Sequence, residues 1–184
     1  MTGLTRRSTM RSITLFGVAA CLALAALAAP ARAGVLTKGD KLAELDTATD
    51  AAGKPFRLKP LAGKWVLVTV GAAWCKPCRK ELPTWDKLAG ILKDKVVFIA
   101  IAVDDDPKDG KKFHADLKLK NMKLAYMPAD KSAVAARYGA DTMPSSFVAD
   151  PKQVIRIRKD GFDERNADGE LKKMHADINT LVAP

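Results

Sequence analysis

The sequence predicts one α/β domain, a mixed central sheet flanked by helices. Three observations carry that prediction. "KWVLVTV" (64–70) and "VVFIAIAV" (96–103) are near-continuous apolar runs of the kind found in strands buried on both faces. Each is followed by a segment that reads as helix, the first with its apolar residues three or four apart. Two short strands and a closing amphipathic segment end the chain, which adds antiparallel pairing and gives a sheet covered on both sides.

The chain has 184 residues and opens on a basic, acid-free stretch, "MTGLTRRSTMRS". An Ala/Leu-rich run at 13–29 and "PARAG", with an Ala-x-Ala pattern ending at Ala33, follow it. That order of regions is a secretory leader, so residues 1–33 are expected to be cleaved. Residues 34–184 then form a single exported domain in the periplasm or cell envelope. Anchoring through 13–29 is the weaker reading, because the run is at the short end of the ~17–25 residues that a spanning helix needs. Lipidation at Cys21 is weaker too, since that residue lies inside the apolar run and not at its end. Arg6–Arg7 matches a twin-arginine signal poorly. Of the 31 basic residues, Arg6, Arg7, Arg11 and Arg32 leave with the leader, so 27 bases face 21 acids and the domain carries +6. Without an Arg/aromatic stripe, that charge does not suit nucleic-acid binding.

Within the domain, Leu45 to Leu58 reads as a short hairpin turning at "DAAGK". The strand at 64–70 leads into a helix over 76–92, with Leu82, Trp85, Leu88, Ile91 and Leu92 at helical spacing. After the strand at 96–103, a polar stretch opens a helix near 107–118, and "MKLAYM" supplies a third strand. A helix around 131–137 ends at Gly139, a C-cap. "SSFVAD" and "QVIRIRK" read as antiparallel strands joined at Asp150–Pro151. Leu171, Met174, Ile178 and Leu181 mark a final helix over 166–182.

The domain keeps two cysteines, Cys75 and Cys78. A disulfide across two intervening residues restrains almost nothing in the unfolded chain, so the pair is there for chemistry. If the helix begins after Cys75, that residue is its N-cap and Cys78 its third residue. The free first-turn amides and the helix dipole then favour a thiolate at Cys75. Lys76 adds positive charge between the sulfurs, and Pro77 sits where a missing amide hydrogen costs little. Cys78 lies near enough to bridge and should face inward. An exposed, activated sulfur backed by a second one suits thiol–disulfide exchange. A zinc site would need His114 and His175, which show no ligand spacing and read as surface residues. Covalent haem needs a histidine where Arg79 stands. The Cys75–Cys78 pair is the redox centre, and no cofactor or metal is required.

"WCKPC" after a buried strand, Pro83 five residues beyond Cys78, and "YGADTMPSSFVAD" together resemble the thioredoxin fold. The leading hairpin with "AAGK" and the extra strand and helix near 103–126 are similar to its exported bacterial branch. That branch holds the TlpA/ResA-like thiol-disulfide oxidoreductases, within the redoxin (AhpC/TSA-like) superfamily, and the thioredoxins of cytochrome c maturation. The resemblance covers nearly all of 38–182 and implies a thioredoxin-like sheet with an N-terminal β-hairpin and a central strand–helix insertion.

It also implies roles. Pro144 matches the cis-proline that faces the sulfurs, and the backbone of Met143 pairs with a client segment like an added strand. Trp74 packs beside the site and Pro83 kinks the helix, while Trp65 and Trp85 read as core. Thr69 occupies the place, six before the first cysteine, where many thioredoxins bury an acid. Glu81, one turn beyond Cys78, resembles the acid found there in ResA-like proteins; the alternative is an ordinary solvated carboxylate. "GAA" before Trp74 replaces an aromatic-containing segment usual in the family.

The implied activity is reduction of disulfides in exported client proteins, by a monomer that a membrane electron donor re-reduces. A net disulfide donor and a non-enzymatic metal-binding or chaperone module are the rivals. A peroxidase would want Thr-x-x-Cys, which "GAAWC" does not supply.

Overall fold

The computed structural model describes residues 2–3, 34–128 and 133–183. The expected leader, with Arg6–Arg7, the run 13–29, Cys21 and the cleavage site at Ala33, lies outside them, as do residues 131–132 of one expected helix. Among the described residues no helix is long and apolar enough to cross a membrane.

The chain builds β1 (Trp65–Gly71), α1 (Cys78–Ile91), β2 (Val96–Ala102), α2 (Pro107–Leu117), β3 (Lys123–Tyr126), α3 (Ala133–Arg137), β4 (Ser145–Ala149), β5 (Ile155–Asp160) and α4 (Ala167–Val182). The sheet order is β3-β2-β1-β4-β5. β1 and β3 run parallel to β2, while β4 is antiparallel to both β1 and β5. This is the thioredoxin-like mixed sheet that the apolar runs and the resemblance led us to expect.

The pleat divides the core in two, because successive side chains on a strand point to opposite faces. Val66, Val68 and Val70 of β1 pack with Leu36, Leu45, Leu58, Tyr138 and Phe147 on one face. Leu67 packs on the other with Phe98, Val148, the Leu82–Trp85–Leu88 face of α1, Phe113 of α2, and Met174 and Ile178 of α4.

Three local expectations are corrected. The segment Leu45–Leu58 does not form hairpin strands: its only bridge to itself is Thr49 to Pro55, and Thr49 also bridges Tyr126 at the end of β3. Pro55 has no amide to donate, and the carboxylate of Glu44 takes the amides of Leu58 (2.6 Å) and Lys59 (2.8 Å) instead. The helix expected from residue 76 starts at Cys78, behind Pro77 as its N-cap. Ile91 is 58% exposed, because steps of about 100° carry it past the edge of the face shared by Leu82, Trp85, Leu88 and Leu92. Trp85 is fully buried, whereas Trp65 is half-buried against the same cluster.

Candidate active site

β1 ends at Gly71, and a tight turn from the Ala72 carbonyl to the Cys75 amide (3.0 Å) brings the chain to the head of α1. There Cys75 and Cys78 are joined by a disulfide, with their Cα atoms 5.4 Å apart. A Cβ on Gly71 would meet the Cβ and Sγ of Cys78 at 3.1 Å, so glycine leaves the room that the second sulfur occupies. Sequence reasoning passed over Gly71, although a glycine closing an apolar strand signals close approach.

Because α1 starts at Cys78 behind Pro77, Cys75 is not the N-cap residue that the sequence led us to expect, although the amide of Cys78 still points at its sulfur. The Cys75 Sγ accepts that amide hydrogen, from the first helical residue, at 3.3 Å. The anion-favouring amide is therefore the partner cysteine's own. Nor is Cys75 exposed: it is 4% accessible and Cys78 wholly buried, both within the apolar cluster around Leu67 and Leu82. This is the oxidised form of the pair.

Trp74 stands out from the surface, 71% exposed, between two cavities. One, of about 330 Å³, is lined by Trp74, Val103, Ala136, Ala140, Asp141 and Met143. The other, of about 340 Å³, is bordered by Ala73, Trp74, Arg79, Asp104 and Phe113 among others. The Met143–Pro144 peptide bond is cis. Met143 packs against the cluster that contains both cysteines, and the Pro144 carbonyl is held by the amide of Gly161 at 2.8 Å.

Glu81 is 1% exposed, which excludes a solvated carboxylate. Its two oxygens accept hydrogen bonds from Thr69 Oγ1 and Ser146 Oγ, both at 2.8 Å, and Ser146 in turn accepts the indole N–H of Trp85 at 3.1 Å. Burial pushes the Glu81 carboxyl up to about 7, against the pull of these hydrogen bonds. The hydroxyl at position 69 thus holds the acid it replaces. Ser146 and the Trp85 indole carry no sequence signal of their own, since they reach Glu81 only through the β4–β1 pairing.

Asp104 holds the loop from the other side. Its Oδ1 accepts the Ala73 amide at 2.9 Å, while Arg79 Nη2 donates to the Ala73 carbonyl at 2.8 Å. The second oxygen of Asp104 is buried and has no partner, and burial raises the carboxyl above its ordinary value. His114 corrects an expectation: it is 1% exposed, lies among Phe113 and Tyr126, and neither ring nitrogen has a partner. α2 buries Gly110, Phe113 and His114, so the histidine faces inward with them and burial lowers it to about 4. His175 is half-buried on α4. Among the described residues no group of three or more His, Cys, Asp or Glu side chains is placed to hold a metal.

The AhpC/TSA family model matches residues 39–158. The thioredoxin-like protein YneN of Bacillus subtilis (strain 168) is 30% identical over 105 residues, 57% of this chain and 61% of its own length. The thiol-disulfide oxidoreductase ResA of Bacillus thuringiensis (strain Al Hakam) is 35% identical over 134 residues, 68% of this chain and 72% of its own. The crystal structure of a thiol:disulfide interchange protein, DsbE, from Chlorobium tepidum superposes with a TM-score of 0.66 at 25% identity, covering 77% of this chain and 97% of that one.

Proposed function

The chain belongs to the AhpC/TSA family and is a thiol-disulfide oxidoreductase, and from that premise we propose that it reduces disulfides in exported client proteins through Cys75 and Cys78. The observation that carries this reading is the pair itself: two bridged cysteines at the head of α1, with a buried acid one turn behind the second. In the reduced enzyme the Cys75 thiolate, facing the Cys78 amide, attacks a client disulfide and forms a mixed disulfide. Cys78 gives its proton to Glu81 and attacks Cys75. The client sulfur leaves as a thiolate, and the bridge re-forms. An acid poised near 7 suits a proton acceptor at neutral pH. Lys76 and Pro77 shape the turn between the sulfurs. The Met143–Pro144 loop offers its backbone to the client, and Trp74 borders both flanking cavities.

The finer reading places residues 34–184 as a monomer in the periplasm or cell envelope after loss of a leader at 1–33. A membrane electron donor re-reduces it, and its clients are disulfides of exported proteins, with apocytochrome c, a copper-site assembly protein and a general pool of exported disulfides fitting equally. Reduction of insulin disulfides, together with the potential of the pair, tests the direction. A potential on the thioredoxin side, about −270 mV, is expected; one near about −120 mV makes the protein a disulfide donor. Stoichiometric zinc or copper binding without turnover would make it a binding module.

A further inference from the structure

Glu81 is ringed by neutral donors, and one fixed cation stands behind them. β1 offers Thr69 and β4 offers Ser146, which in turn takes the indole N–H of Trp85 on α1; none of these carries a cation. The cation comes from β5. Lys159 is the register partner of Ser146, the residue whose hydroxyl donates to Glu81. Its ammonium is pinned by the Gly161 carbonyl at 2.7 Å and by Glu170 of α4 at 3.2 Å, and lies 5.7 Å from the Phe162 ring centroid. Phe162 stacks edge-on against Trp85, closing the shell. The Lys159 and Glu170 side chains are only 21% and 17% exposed, so water screens their charges weakly.

We propose that Lys159 is a positioning residue for the exchange reaction: its ammonium, set by Glu170, keeps more of Glu81 in the carboxylate form that is free to accept the Cys78 proton. Lys159 does not touch the sulfurs, and the inference rests on the reading of Glu81 as proton acceptor. The step it assists is the one in which the Cys78 S–H proton goes to a Glu81 oxygen. The Cys78 lone pair then forms the bond to Cys75, and the Cys75–client bond breaks with its electrons on the client sulfur. The field of Lys159 is among the influences that lower Glu81, against the larger effect of burial. Glu170 offsets part of that field by pairing with the ammonium.

The pairing gives opposite signs to two variants, which a merely structural role would not. The test is the pH profile of single-turnover mixed-disulfide resolution in the full chain. Lys159→Met is expected to move the rising limb about half a pH unit upward, roughly threefold slower on that limb. Glu170→Gln is expected to move it downward, and Lys159→Arg to restore it. In a Glu81→Gln background, Lys159→Met should change nothing further. If Glu81→Gln moves the profile but both single variants leave it in place, or shift it the same way, the role of Lys159 is overturned. If Glu81→Gln itself leaves the profile intact, the reading of Glu81 fails, and this inference with it.

Discussion

Two ionisable groups lie buried in the same half of the fold, and they are treated in opposite ways. Glu81, on α1, has both oxygens filled by hydroxyls, and its network runs on to the Trp85 indole. His114, on α2, has two empty nitrogens against Phe113 and Tyr126. Both are displaced by burial, Glu81 up to about 7 and His114 down to about 4. The hydrogen bonds keep Glu81 within reach of neutral pH, whereas His114 stays neutral across that range. A satisfied polar network holds a charge change where chemistry needs it; desolvation alone only forbids one.

The largest effect should come from breaking the network. Glu81→Ala leaves Thr69, Ser146 and Trp85 without their acceptor and opens a cavity, so we expect a loss of about 3–5 kcal/mol in denaturant unfolding. His114→Leu, which removes polar atoms that bond to nothing, should instead be neutral or stabilising at pH 7. Comparable losses for both would dissolve the contrast.

Next in size are two opposing pH dependences. Glu81 is raised on folding, so its contribution is full below about 4.5 and is lost as pH rises through about 7. His114 is lowered on folding, so its contribution is full above about 6.5 and is lost as pH falls through about 4. Each is worth about 3 kcal/mol at its limit. In the native chain the slopes oppose each other between about 4.5 and 6.5. Glu81→Gln should leave stability falling toward acid, and His114→Leu should leave it falling toward alkali. Equal slopes in the two variants would show that the groups do not titrate as their surroundings dictate.

A smaller effect is kinetic. Glu81→Gln keeps the shape of the network and removes the base, so mixed-disulfide resolution at pH 7 should slow by about tenfold or more while the unfolding midpoint changes little. Smallest of all, Asp104→Asn keeps an acceptor for the Ala73 amide and should cost under about 1 kcal/mol. Asp104→Leu removes it and should cost about 1–3. Thermal unfolding separates the two.

The same contrast explains what was legible in the sequence. The strands were, because buried strands write themselves as continuous apolar runs, and so was the cysteine pair, because its spacing is chemical. Turn residues at 50–54 signalled a reversal of the chain, but nothing there announced that Glu44 would take the amides of Leu58 and Lys59. Helical stepping already put Glu81 on the face of Leu82 and Trp85, and His114 beside Phe113 at the spacing of Gly110. Residue polarity had argued for solvent at His114, and at Glu81 it left a solvated carboxylate as the alternative to the functional acid that the family resemblance implied. Ser146 reaches Glu81 only through strand register, which a single chain does not display, whereas Gly71 had a signal in closing an apolar strand.

Mass spectrometry of the Cys78→Ser protein, incubated in reduced form with an oxidised client, addresses the exchange chemistry most directly. The structure predicts a one-to-one adduct through Cys75 that thiol reductant releases, and none from Cys75→Ser. Absence of the adduct from Cys78→Ser, or its formation through residue 78 in Cys75→Ser, would contradict the assignment of Cys75 as the attacking sulfur.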